Sequence, residues 1–122
     1  MLPLMSRFRW QAISMALMLC VGSVCASGSI KDQLDAVLSI QPDTEYGEFL
    51  AGECLTCHVS VDSGGTNDAS IPLIHGKPSE ILIQALLEYR VEIRENQIMR
   101  SVASRLTDEE IAALSAWFSQ QE

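Results

Sequence analysis

Cys54-Leu55-Thr56-Cys57-His58 is the stretch of this 122-residue chain whose residue types and spacing dictate a chemistry. Two cysteines with two residues between them can form thioethers with the two vinyl groups of one porphyrin. A histidine directly after the second cysteine then lies beneath the iron. This C-x-x-C-H run is the attachment pattern of haem c. Other chemistries suit the same residues less well. A thioredoxin-like redox pair wants a strand-helix-strand setting, and the sequence shows none. A disulfide across two residues closes a strained ring. A zinc site needs four ligands and would have to recruit His75 and another group.

A porphyrin iron held by His58 has a second axial position to fill. Four of the five methionines precede residue 27, and Met99 is the one beyond it. It follows His58 by 41 residues and lies between two helical patterns, where a side chain can return over a bound ligand. Met99 is therefore the expected sixth ligand, with His75 as its rival. His/Met ligation raises a haem's reduction potential relative to two nitrogen ligands. A ligating histidine usually donates its other ring N–H to a carbonyl, and the Pro72 carbonyl is a candidate acceptor for His58. Arginines cluster late, at Arg90, Arg94, Arg100 and Arg105. One of them can neutralise haem propionates, and Arg94 is the first choice.

These residues need elements to position them, and the apolar pattern supplies helices throughout. Ile30, Leu34, Val37 and Leu38 form one helical stripe, ended by Gln41-Pro42. This leading helix either docks or tethers. A second helix is expected over residues 44–53, capped by Asp43 or Thr44 and ending at the cysteine motif. Residues 59–70 are rich in Ser, Gly, Asp and Asn and read as a surface loop. A third helix is expected over residues 78–90, with Pro78 at its first position and Leu82, Leu86 and Tyr89 on one face. Residues 91–100 lose the period. Thr107 with Glu110 three residues on is a capping box, opening a last helix whose buried stripe is Ile111, Leu114, Trp117 and Phe118. Phe49 on the second helix is expected to pack against Trp117 or Phe118. With no strand-like alternation and no repeat, the fold class is all-α: about three core helices plus a leading one around a haem.

The first 26 residues have another purpose. Arg7 and Arg9 precede an apolar run of 13 residues over positions 12–24, and Val24-Cys25-Ala26 matches a signal-peptidase site. The run is shorter than the roughly 20 residues a spanning helix needs, so a stable membrane span is not expected. Leu19 and Val24, ahead of Cys20 and Cys25, are too large for a lipid-attachment site. The expected organisation is a signal peptide (1–26), an extension with a short helix (27–43) and a haem-binding domain (44–122), exported to the periplasm. The exported chain would keep 96 residues, with six basic side chains against sixteen acidic ones and a formal charge of −10. That charge excludes nucleic acid as a partner, because its phosphates would be repelled. It favours a basic partner surface.

With these features in place, the chain resembles a small bacterial class I cytochrome c from about residue 46 to residue 120. The resemblance is carried by Gly47-Glu48-Phe49-Leu50, by Cys54 to His58, and by Ile71-Pro72-Leu73 with Gly76. Tyr89 with Arg94, Met99, and Leu106 to Ile111 through Trp117-Phe118 complete it. The subgroup it is most similar to contains the cytochrome subunit of flavocytochrome c sulfide dehydrogenase and small soluble periplasmic carriers. The resemblance implies His58 and Met99 as axial ligands, the Pro72 carbonyl on His58, and first and last helices crossing beside the haem. It implies a one-electron carrier and not an enzyme, whose partners are a donor dehydrogenase and an acceptor oxidase, or a flavoprotein subunit. A haem enzyme or gas-binding protein with an open sixth position is the alternative. The chain departs from the family at Val59, where a glycine often follows the histidine, and at Arg90-Val91-Glu92, which lacks the usual loop glycine.

Overall fold

A computed structural model describes residues 28–59 and 71–122. The proposed signal segment and the loop at residues 60–70 lie outside the described residues. Five helices follow one another: α1 (Ile30–Leu38), α2 (Thr44–Leu55), α3 (Ser79–Arg90), α4 (Gln97–Ala103) and α5 (Asp108–Ser119). Among the described residues there is no strand. None of these helices is long and apolar enough to cross a membrane.

Local chemistry explains each helix start. Ser29 and Asp32 form a reciprocal capping box at α1, and Thr107 and Glu110 form another at α5. Asp43, not Thr44, caps α2, accepting from the Tyr46 N–H at 3.0 Å. Asn96 caps α4, accepting from the Met99 N–H at 3.0 Å. Pro78 stands just before α3 as its N-cap, one place earlier than expected, and offers no side-chain cap. The segment expected to be irregular therefore holds a short helix. Seven residues are too few for the apolar period to emerge, and the start signal is the lone asparagine three residues before Met99.

Two apolar clusters tie the helices together. Val37 from α1 joins Ile83 and Leu87 from α3 and Ile111 and Ala112 from α5. The leading helix thus docks rather than tethers, with Val37 only 1% exposed. The second cluster sets Ala51 of α2 and Leu82 of α3 against Leu114 and Phe118 of α5. Arg90 secures the first cluster's rim, pairing with Asp108 at 2.7 Å and reaching Gln33 at 3.4 Å. It is a structural residue linking α1, α3 and α5.

The crossing of α2 and α5 depends on Gly47. A Cβ there would lie 2.3 Å from the Ala113 carbonyl oxygen and 3.0 Å from the Trp117 Cβ. The helices touch through backbone, which only glycine permits. Tyr46 adds a tie, its hydroxyl donating to Glu110 at 3.1 Å. Phe49 does not join this contact, contrary to expectation. It points outward, 79% exposed, with its ring stacked on Tyr46 at 6.4 Å. Two positions on is roughly 200° round a helix, so with Gly47 against α5 the Phe49 side chain faces the opposite way. The last-helix aromatics pack on each other instead, Trp117 and Phe118 meeting edge-on at 4.9 Å.

Candidate haem site

The end of α2 delivers the cysteine motif. Cys54 lies in the last turn and is half-buried, whereas Cys57 is exposed. The His58 N–H closes the turn on the Cys54 carbonyl at 2.8 Å. His58 is buried at 9% exposure, and its Nδ1 lies 2.8 Å from the Pro72 carbonyl oxygen. A carbonyl only accepts, so Nδ1 must carry the proton and Nε2 keeps a free lone pair. The segment supplying that carbonyl is anchored in turn. The Gly76 N–H donates to the Phe118 carbonyl at 3.0 Å, with Gly76 at φ +67°. The end of α5 thereby positions the acceptor that orients His58.

These residues border a cavity of about 360 Å³, within the range of cofactor sites of about 300–1,000 Å³. All six residues singled out in the sequence (Cys54, Cys57, His58, Pro72, Arg94 and Met99) line this one cavity. Its wall is almost wholly apolar. The face of α3 read from periodicity, Leu82, Leu86 and Tyr89, is the cavity wall, while Ile83 and Leu87 on the neighbouring face enter the core. Leu114 and Phe118 close the α5 side.

Met99 sits in the first turn of α4, fixed by the Asn96 cap. Arg94 reaches the cavity from the α3–α4 connection. Its Nε donates to Glu88 at 2.6 Å and its guanidinium lies 5.6 Å from the Tyr89 ring centre. The hydrogen bond from Glu88 holds the Arg94 pKa above its usual value. Glu88 is lowered by hydrogen bonds from Gln84 and then Arg94. Arg100 serves the backbone, donating to the carbonyls of Arg94 and Glu92 at 2.8 and 2.9 Å. Arg105 donates to the Ser101 carbonyl and does not line the cavity.

Three polar residues of the cavity escaped the sequence reading. Asn96 carried a legible signal as a cap residue. Lys77 adds a second cation at the cavity. Ser115 carried none, because a serine inside a helical stripe reads as a polar interruption. Its hydroxyl is buried without a hydrogen-bond partner. His75, the rival for the sixth position, is half-buried beside Phe118, ring centres 5.5 Å apart, and lies outside the cavity lining.

The residues fit a haem c. Two cysteines, an oriented imidazole with a free Nε2 and a thioether sulfur border one apolar cavity. The thiol pair suits redox catalysis poorly, since burial pushes the Cys54 thiol up when a thiolate nucleophile needs it lowered. Among the described residues, no group of three His, Cys, Asp or Glu side chains converges to hold a metal ion by itself.

Two known proteins are similar to this chain in sequence. No family model matches the chain. It is 32% identical over 81 residues to the cytochrome subunit of sulfide dehydrogenase of Chlorobaculum tepidum, covering 66% of this chain and 71% of that protein. It is also 32% identical over 68 residues to cytochrome c4 of Azotobacter vinelandii, covering 52% of this chain and 32% of that protein. The fold is that of a class I cytochrome c, an all-helical frame around a haem cavity. The chain belongs to the c-type cytochromes, whose haem transfers electrons and which are not themselves catalysts.

Proposed function

We propose that this protein is a periplasmic one-electron carrier with a single haem c, joined covalently to Cys54 and Cys57 and ligated by His58 and Met99. Haem, when bound, supplies the Fe(III)/Fe(II) couple. The chain's own residues do the rest. Cys54 and Cys57 provide the thioether sulfurs. The Pro72 carbonyl holds Nδ1–H, so that His58 presents Nε2 in a fixed orientation. Met99 approaches from α4, and Arg94 with Lys77 offers positive charge to propionates. The observation that carries this reading is the meeting of His58, Met99 and both cysteines at one apolar cavity. Residues 1–26 would direct export, residues 27–43 form the extension, and residues 44–122 form the haem domain.

One relative is named as a subunit of sulfide dehydrogenase, and this favours a second form of the reading. In that form the chain is the haem subunit of a complex with a flavoprotein, receiving electrons from it. A carrier fed by a dehydrogenase and emptied by an oxidase would need the same haem site.

The test is Met99→Ala in the haem-loaded protein. The variant should lose the weak ferric sulfur-to-iron absorption, show a lower reduction potential and bind carbon monoxide when reduced. An unchanged potential and absorption would remove Met99 from the iron. Rapid carbon monoxide binding by the unaltered protein would instead favour a gas-binding or catalytic role. Haem that organic solvent extracts from the denatured protein would overturn the thioether links.

A further inference from the structure

The outward face of α2 has no partner among the described residues. Glu45, Glu48, Phe49, Gly52, Glu53 and Thr56 follow at helical spacing, and all are exposed. At their centre stands Phe49, 79% exposed, extended by the stacked ring of Tyr46. Gly52 has nothing within 4 Å of where a Cβ would sit, so another molecule can approach the backbone there. No lysine or arginine occurs anywhere from residue 32 to residue 76, so nothing in that stretch offsets these carboxylates. The stripe runs directly into exposed Cys57.

We propose that this face is the docking surface for a basic protein partner, with Phe49 entering an apolar pocket of it and the electron passing at the Cys57 end of the haem. The inference rests on the haem-carrier reading. Charge complementarity identifies the occupant. An aromatic anchor encircled by carboxylates matches an apolar hollow rimmed by Lys and Arg. A second copy of this chain would present the same acidic face and be repelled. The other exposed apolar group, Ile71, Ile81 and Ile98, belongs to the cavity rim and has Lys77 and Arg94 beside it. The transfer itself breaks no bond: one electron leaves Fe(II) and reduces the partner's acceptor by one.

The test uses the reduced haem protein and two oxidants. Tris(phenanthroline)cobalt(III), a cation with aromatic faces, stands in for the partner's chemistry and is reduced to cobalt(II). Hexacyanoferrate(III) is the anionic control. The cobalt rate should fall with added salt, and the Glu48→Gln/Glu53→Gln variant should lower it at least about threefold and flatten that dependence. Phe49→Ser should lower it with the salt dependence intact. The hexacyanoferrate rate should hold or rise in both variants. A cobalt rate equal in every variant would overturn the docking face while leaving the carrier reading untouched. Absence of a haem spectrum would fell that reading and the electron step with it. Independently, chromium(III) hexaammine should broaden the backbone amides of residues 45–53. Broadening confined to residues 92–95 or 108–110 would also overturn the proposal.

Discussion

At the scale of single residues, Glu92 is the position where the backbone is under strain. It has φ +63°, a left-handed conformation in a non-glycine residue. The surrounding bonds explain why it persists. The Ile93 N–H reaches the Glu88 carbonyl at 2.8 Å and the Glu92 N–H reaches Tyr89 at 3.1 Å, a complete Schellman ending for α3. Arg100 clamps the Glu92 carbonyl. The glycine absent from this loop is therefore absent where a helix end favours one. The Glu92 carboxylate contributes little, lying 4.0 Å from Arg100 with its side chain 74% exposed. Glu92→Gly should accordingly stabilise the protein by about 1 kcal/mol, read as a higher urea midpoint at constant slope. Glu92→Ala keeps the left-handed penalty, and an equal gain there would refute the backbone argument.

At the scale of elements, the α2–α5 crossing holds the site together, because α2 carries the cysteines and α5 anchors the Pro72 loop. Two glycines of α2 make a matched test. Gly47→Ala forces a methyl into the Ala113 carbonyl and should cost about 2–3 kcal/mol. Gly52→Ala meets nothing and should raise stability by about 0.5–1 kcal/mol through helix propensity alone. Thermal melts of both variants, followed at the haem band, would separate close packing from propensity. Tyr46 adds a pH signature to the same crossing. Its hydroxyl donates to Glu110, which raises its pKa above the usual tyrosine value. The stability from this bond is fully present below the ordinary tyrosine range and is lost as pH rises through the raised value. Tyr46→Phe should flatten the alkaline fall in melting temperature; an identical fall in the variant would rule the tie out.

At the scale of the whole molecule, an apolar cavity of about 360 Å³ leaves a small chain with little interior of its own. Ile71, Ile81, Leu86 and Ile98 line it without being buried and need a ligand to cover them. The form lacking haem, made by replacing both Cys54 and Cys57 with alanine, should lose cooperative melting and bind hydrophobic dye. Retention of a sharp transition and dispersed amide resonances would show that the helices suffice. α1 should matter here too, since Val37 fills the first core cluster, against which the cavity residues Leu86 and Leu106 pack. Its docking makes the extension part of the folded unit.

The sequence by itself determined the chemistry. Cys54, Cys57 and His58 are contiguous, so their joint role follows from spacing that no fold can alter. The caps at Thr107 and Asp43 and the stripes of α3 and α5 were legible for the same reason: they are local, set by residues three or four apart. What only the tertiary structure decided is which face meets which. The α3 stripe lines the cavity, with Leu82 also belonging to the second core cluster. Phe49 points outward because Gly47 seats α2 against the α5 backbone. Arg90 is drawn into a structural pair while Arg94 is left at the cavity. Pro72 reaches His58, and Met99 reaches the cavity His58 borders, from other segments of the chain, and their approach depends on how the helices pack rather than on any spacing along the chain.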